Sequence, residues 1–412
     1  MLCAHRELYS EIRSRHLVIL KFILWKCRVL FALCERWTPC RGALAVAVLS
    51  ALASVAFNFP DYQHNLDLFG LAAPERIAPE RELTRLVLRR QTEHPLSPDS
   101  VAGIEGGEHA ARLIYRISMP ILGHAAGLGL GGLILIQQLF GVVFLGLLSL
   151  LSYRATGDKC CAVLLPFGFA FCYVGQACFL DMRPTFDGMA LCGLALAMVS
   201  RQPLIVFAAL FFACWTDERA VMVSPLLLLW RLTKPEQTDG TGRDQSFLKD
   251  WRLLATIGAL VAYLVGRFEL GRLWSAQYPP DGISFAVAGL QWPMFLIGIA
   301  SGLKWLWIVL LLGATALLLR GATWLGAAFS IVVLAYAISC SMVFDTTRSS
   351  AYLFPAVFVA LPWLVRSEGV APVRWLALAV SAMCIMTPSA YIHGNAVEPA
   401  PPVFPQALKW IR

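Results

Sequence analysis

The chain has 412 residues, 58% of them apolar and only 15% charged, with a mean hydropathy of +0.66. An ordinary soluble domain is roughly 45–50% apolar and roughly 25% charged, so this composition excludes a soluble globular protein, a disordered chain and a small disulfide scaffold. The formal net charge of +8 is explained by basic loops on one side of a membrane rather than by nucleic-acid binding.

Residues 1–42 carry Arg6, Arg13, Arg15, Lys21, Lys26, Arg28, Arg36 and Arg41 against Glu7, Glu11 and Glu35. That excess places the N-terminus in the cytoplasm. The apolar run LVILKFILWKCRVLFALC is broken by Lys21, Lys26 and Arg28. It reads as an amphipathic helix on the inner leaflet, with a tilted span and snorkelling lysines as the competing reading.

A helical span needs about 20 mostly apolar residues. Eleven stretches are candidates: 43–59, 126–153, 160–180, 186–200, 203–216, 219–232, 253–269, 304–320, 323–342, 351–365 and 373–392. The expected fold is therefore all-α, a polytopic helix bundle of about eleven spans, within a range of nine to thirteen. The apolar stretch 283–303 is interrupted by Pro293 and reads as a re-entrant or interfacial piece. Residues 43–392 form the transmembrane domain, and 393–412 an external C-terminal tail. The basic or mixed connections 154–159, 201–203, 231–252, 320–323 and 366–374 fall on the cytoplasmic side.

The first external loop, 60–125, has helical composition in RELTRLVLRR (81–90) and in EGGEHAARLIYRI (105–117). In the second, His109, Arg112 and Arg116 share one helical face. The GLGLGG run at 127–132 lies in an apolar stretch, and the four-residue spacing of Gly127 and Gly131 suggests helix packing. The twelve cysteines sit mostly in apolar runs without zinc spacing, so neither a disulfide nor a metal is assigned.

Ionisable residues collect at the external ends of spans. FNFPDYQHNLD holds Asp61 and His64, and FLDMRPTFDG holds Asp181, Arg183 and Asp187. CWTDERA holds Asp217, Glu218 and Arg219, and VFDTTRSS holds Asp345 and Arg348. Each group has a plain reading as a turn or helix-cap charge. Charges at the edge of hydrocarbon are nevertheless costly and are usually paired or functional. Four such groups on one side predict the rim of a single polar cavity.

This layout resembles the GT-C superfamily of membrane glycosyltransferases, the group that includes protein O-mannosyltransferase-like and aminoarabinose-transferase-like enzymes. Asp61 follows the first span where that family places its first-loop acid. EHAARLIYRISMPILG is similar to the course of the loop into the second span, and TTRSSAYLFP resembles the family's arginine-then-proline approach to a late span. The resemblance covers about residues 43–365. It implies sugar transfer, with inversion, from a polyprenyl-phosphate donor to a lipid, glycan or protein acceptor on the outer face. Asp61 would then act as the base, and Arg183, Arg219 or Arg348 would stabilise the lipid-phosphate leaving group. Asp181 and Glu218 would orient sugar hydroxyls or hold a divalent cation. His64, His109, Arg112, Arg116, Asp187, Asp217 and Asp345 would complete the substrate site. The absence of an N-x-S/T sequon and the Leu/Ala/Arg-rich composition lean towards a bacterial inner membrane. The competing readings are a lipid or sugar transporter or flippase, and a non-catalytic assembly subunit of the same fold.

Overall fold

The computed structural model describes residues 21, 25–39, 41–57, 79–97, 115–179, 185–233, 250–274, 285–319, 323–343, 345–393 and 396–400. Among the described residues the fold is all-α apart from one hairpin. The helices are α1 (Arg41–Phe57), α2 (Pro79–Glu93), α3 (Ser118–Ala126), α4 (Leu130–Thr156), α5 (Lys159–Ala170) and α6 (Tyr173–Phe179). They continue as α7 (Asp187–Val199), α8 (Pro203–Thr216), α9 (Arg219–Val223), α10 (Pro225–Thr233), α11 (Trp251–Trp274) and α12 (Phe285–Leu303). The last are α13 (Leu306–Leu319), α14 (Thr323–Cys340), α15 (Thr346–Ala351), α16 (Phe354–Glu368) and α17 (Val370–Met386). Strands β1 (Ser389–His393) and β2 (Ala396–Ala400) pair antiparallel, with Ser389 opposite Ala400.

Among the described residues, four helical segments are long and apolar enough to cross a membrane: Leu130–Thr156, Trp251–Leu273, Thr323–Cys340 and Thr346–Glu368. The number rises to six if the bent pairs α5–α6 and α12–α13 each count as one span. This is consistent with an integral membrane protein, but it is fewer than the expected eleven. The shortfall has a physical reason. Arg41–Ala56, Asp187–Val199, Pro203–Thr216 and Val370–Met386 are apolar but shorter than the usual crossing length, while α9 and α10 divide at Ser224–Pro225.

Each break has a cause in the sequence. Pro166 removes a backbone donor from α5, and the helix stops at Ala170 before α6 turns away by 69°. At that bend a Cβ on Gly175 would lie 2.5 Å from the Ala170 Cα, so only glycine allows the return. Ser54 Oγ donates to the Ala170 carbonyl at 2.7 Å, covering a group that the helix has lost.

The second bend, 88°, separates Met294–Leu303 from α13, in keeping with the re-entrant or interfacial expectation for 283–303. Lys304 adopts a left-handed conformation there (φ 47°). Its Nζ donates to the Thr387 and Cys384 carbonyls at 2.8 and 3.3 Å, closing the last turn of α17. Pro388 then favours extended backbone at Thr387. The expected span 373–392 thus ends at Met386, and the expected tail begins as a hairpin strand.

Gly127 of the expected packing pair makes no helix contact. Gly127 takes a left-handed conformation (φ 62°) as the cap of α3, and a side chain there would meet nothing within 4 Å. A different pair makes the close approach. Gly298 and Gly302, four residues apart on α12, lie against Thr346 and Ser350 of α15.

The centre of the bundle is the segment Thr346–Glu368, 89% buried, whereas Trp251–Leu273 is 22% buried and lies at the edge. Helix α16 packs along α13, α4 and α10. Phe358 stacks on Phe169, and Phe354 meets the edge of Phe144. The described N-terminal helix, 25–34, sends Phe31 and Cys34 into this core.

Helices α7, α8 and α16 run between the same two ends. The thirteen residues of α7 separate those ends by about 20 Å. One end gathers basic side chains that cap helix C-termini. Arg154 and Arg231 donate to the Val199 and Ala197 carbonyls of α7, and Arg366 to Thr233 of α10 at 3.4 Å. Lys159 donates to the Glu35 carbonyl at 2.9 Å. The other end holds Asp187, Asp217, Glu218 and Asp345.

Candidate functional site

The acid-bearing end is assembled from four separate chain segments. Phe186, in a left-handed conformation (φ 54°), buries its ring beside Met119, Leu133 and Met189 and starts α7 at Asp187. Asp217 follows the last turn of α8, and Glu218 and Arg219 form the turn into α9. Arg116 precedes α3. Asp345 precedes α15, which carries Arg348.

The inner layer is buried. The Arg348 guanidinium donates from Nε and Nη2 to both oxygens of Asp187, with Nη2 to Oδ1 at 2.8 Å. The same Nη2 reaches Asp217 Oδ2 at 2.9 Å. Arg219 Nη1 donates to Asp217 Oδ2 at 3.0 Å, and its backbone N–H donates to Oδ1 at 2.9 Å. Tyr352 OH donates to Asp187 Oδ1 at 3.0 Å. The carboxylates of Asp187 and Asp217 are 1% and 0% exposed. Several donors and two guanidinium groups surround them and offset the cost of burying two carboxylates.

The outer layer meets water. Arg116 Nη2 and Nε donate to Glu218 at 3.1 and 3.3 Å, and Nη2 also lies 3.4 Å from Asp217. Burial alone would push the Glu218 carboxyl up, but the charge and hydrogen bond of Arg116, together with Arg219, hold the group below its ordinary value. Asp345 is 20% exposed and lies 3.4 Å from Arg348 Nη1 and 4.0 Å from Arg219 Nη2. Tyr391 OH of the hairpin donates to Asp345 Oδ1 at 2.9 Å.

The run TTRSS around Arg348 is polar yet fully buried, because each hydroxyl has a defined partner. Thr347 Oγ1 accepts the Ile392 N–H at 3.0 Å, and Ser349 Oγ accepts from Arg219 Nε at 2.8 Å. Ser350 Oγ donates to the Gly298 carbonyl at 3.2 Å, and Tyr336 OH donates to the Ser349 carbonyl at 2.9 Å. The short helix α15 is thereby fixed on all sides, and Arg348 with it.

Seven sequence-predicted residues come together here: Arg116, Asp187, Asp217, Glu218, Arg219, Asp345 and Arg348. Asp61, His64, His109, Arg112, Asp181 and Arg183 lie outside the described residues. These seven, expected at the rim of a single polar cavity, bond directly to one another. They form a paired network whose inner members are sealed within the protein. Sequence reasoning missed Tyr352, Ser349 and Tyr391. Tyr352 lies four residues after Arg348, a spacing that signals a shared helical face. Tyr391 reaches the site through a long-range hairpin that leaves no local signal.

Among the described residues, one group of metal-capable atoms meets within 4.8 Å: Glu35, Asp158 and Cys160. It lies at the other end, where Arg374 bonds Asp158 Oδ2 at 3.0 Å and Glu35 Oε1 at 3.1 Å. A guanidinium thus fills the cation's place. No family model matches the chain, nor does any curated protein or solved structure.

Proposed function

We propose that the protein is a membrane glycosyltransferase that moves a sugar from a polyprenyl-phosphate carrier to an acceptor on the external face. The observation that carries this reading is the convergence of Arg116, Asp187, Asp217, Glu218, Arg219, Asp345 and Arg348 at one end of an apolar bundle. In this reading the short helices α1, α7, α8 and α17 and the pair α9–α10 also cross, completing about eleven spans. The arginine-capped end and the N-terminus face the cytoplasm of a bacterial inner-membrane protein. Because α7 and α8 are short, the acid-bearing end is recessed from the lipid surface. A lipid-linked donor then reaches it from the side.

The chemistry assigns each residue one task. Asp61 takes the proton of the acceptor hydroxyl as the new glycosidic bond forms, with inversion at the anomeric carbon. The polyprenyl phosphate leaves with the bonding electrons, and Arg219 and Arg348, with Arg183, stabilise its charge. Glu218 and Asp181 accept hydrogen bonds from sugar hydroxyls. Asp187 and Asp217 hold the arginines in place.

The test is transfer of labelled sugar from undecaprenyl-phosphate hexoses and pentoses by the full chain in lipid nanodiscs. Asp61→Asn abolishes transfer while leaving thermal stability and donor binding intact. Wild-type transfer by that variant removes the base assignment. A second reading, a non-catalytic subunit, has one observation in its favour: the inner layer neutralises itself without a substrate. Absence of transfer with every donor supports that reading.

A further inference from the structure

The three aspartates of the network are not equivalent. Asp187 and Asp217 are sealed, and each receives at least one arginine hydrogen bond of 3.0 Å or less. Asp345 is 20% exposed, and the two arginines that face it stand at 3.4 and 4.0 Å. Arg348 and Arg219 have thus turned their tightest donors inward to Asp187, Asp217 and Ser349. The remaining Nη1 of Arg348 and Nη2 of Arg219 point to one place, and that place now holds the Asp345 carboxylate. An oxyanion there bridges two guanidinium groups, the arrangement that phosphate oxygens favour.

We propose that the Asp345 carboxylate is a displaceable stand-in for a phosphate group, and that an anionic phosphate ligand binds Arg348 and Arg219 when Asp345 moves aside. The proposal rests on the donor-phosphate reading above and adds the event that opens the site. Exchange of one anion for another preserves the charge balance around two buried cations, so neither is left unpaired. Tyr391 gives the exchange a handle, because the residue that holds the second oxygen of Asp345 lies on the hairpin. That hairpin is joined to the site through Ile392 and Thr347, and through Gln176 and Ser389. Tyr391 also stacks on Tyr173 of α6. Asp345 can therefore leave by a local movement at the edge of the network while Asp187, Asp217 and Tyr352 stay in place.

The experiment measures binding of undecaprenyl phosphate and of inorganic phosphate to the full chain in nanodiscs, for the wild type and for Asp345→Asn, Tyr391→Phe and Arg219→Gln. If Asp345 occupies the site for nine-tenths of the time, its removal as a competing anion tightens binding by about tenfold. Tyr391→Phe, which only loosens the stand-in, tightens it less. Arg219→Gln weakens it. Tightening for both probes identifies the phosphate group itself as the ligand; tightening for undecaprenyl phosphate alone identifies the lipid carrier. Unchanged or weaker binding in a folded Asp345→Asn protein overturns the proposal. If that variant does not fold, unchanged binding in Tyr391→Phe overturns it instead. Tightening without sugar transfer keeps the stand-in and removes the transferase; transfer without tightening removes the stand-in alone.

Discussion

The two ends of the bundle use arginine in different ways. At one end Arg154, Arg231 and Arg366 donate to the last carbonyls of α7 and α10, while Arg374 links Asp158 to Glu35. The first three satisfy carbonyls that every helix end leaves open, while Arg374 pairs two carboxylates. At the other end Arg348 and Arg219 face carboxylates that no helix requires. Asp187 could start a helix, and Asp217 could end a turn, without being buried. Their burial against guanidinium groups costs desolvation that simple capping does not. The comparison teaches that the number of arginines does not distinguish the two ends; the partners of each arginine do.

Substitutions at the two ends sharpen this contrast. Arg348→Met leaves Asp187 and Asp217 sealed with their principal cation gone. The expected loss is about 3–5 kcal/mol, read as a drop in thermal unfolding temperature in detergent. Arg374→Met at the opposite end is expected to cost about 1–3 kcal/mol, because Asp158 keeps the Cys161 N–H at 2.8 Å. Equal losses at both ends would break the comparison. Tyr352→Phe removes one donor from a buried carboxylate while Arg348 remains, and is expected to cost about 1–2 kcal/mol. Asp345→Asn, at the exposed edge, is expected to change stability by less than about 1 kcal/mol.

Acid titration gives the smallest effect. Glu218 is held below the ordinary glutamate value by Arg116, together with Arg219. Its contribution is therefore fully present above about pH 4.3 and fades as the pH falls through its lower folded value. In Glu218→Gln the unfolding temperature should depend less on pH in that acid range. An unchanged profile would show that the pair adds nothing to folding.

The sequence exposed the acid-bearing end well. Asp187, Asp217, Glu218, Arg219, Asp345 and Arg348 all stand out as ionisable residues at the margins of apolar runs, and the structure brings them together with Arg116. Side-of-membrane reasoning groups residues because loops on one side share one surface. It does not say that the charges pair. Asp187 and Arg348 are 161 residues apart, and no local pattern joins them. Helix breaks were less legible. Apolarity continues across Phe171–Cys172, so hydropathy reads one span where Pro166 and Gly175 make a bend. The close-packed glycines were also hard to read from sequence. The GLGLGG run attracted attention by density, whereas Gly298 and Gly302 lie in a helix that hydropathy treats as interfacial. The hairpin strand was hidden because Ser389–His393 continues the apolar composition of α17 past Pro388.

The most direct test of the central claim is to find where the lipid phosphate sits. A photoreactive undecaprenyl-phosphate analogue, with its reactive group beside the phosphate, is incorporated into nanodiscs with the full chain, and the labelled peptides are mapped by mass spectrometry. The account predicts labels at residues 216–224 and 345–353, lost in Arg219→Gln. Labels confined to 154–159 and 366–374, at the arginine-capped end, would contradict it.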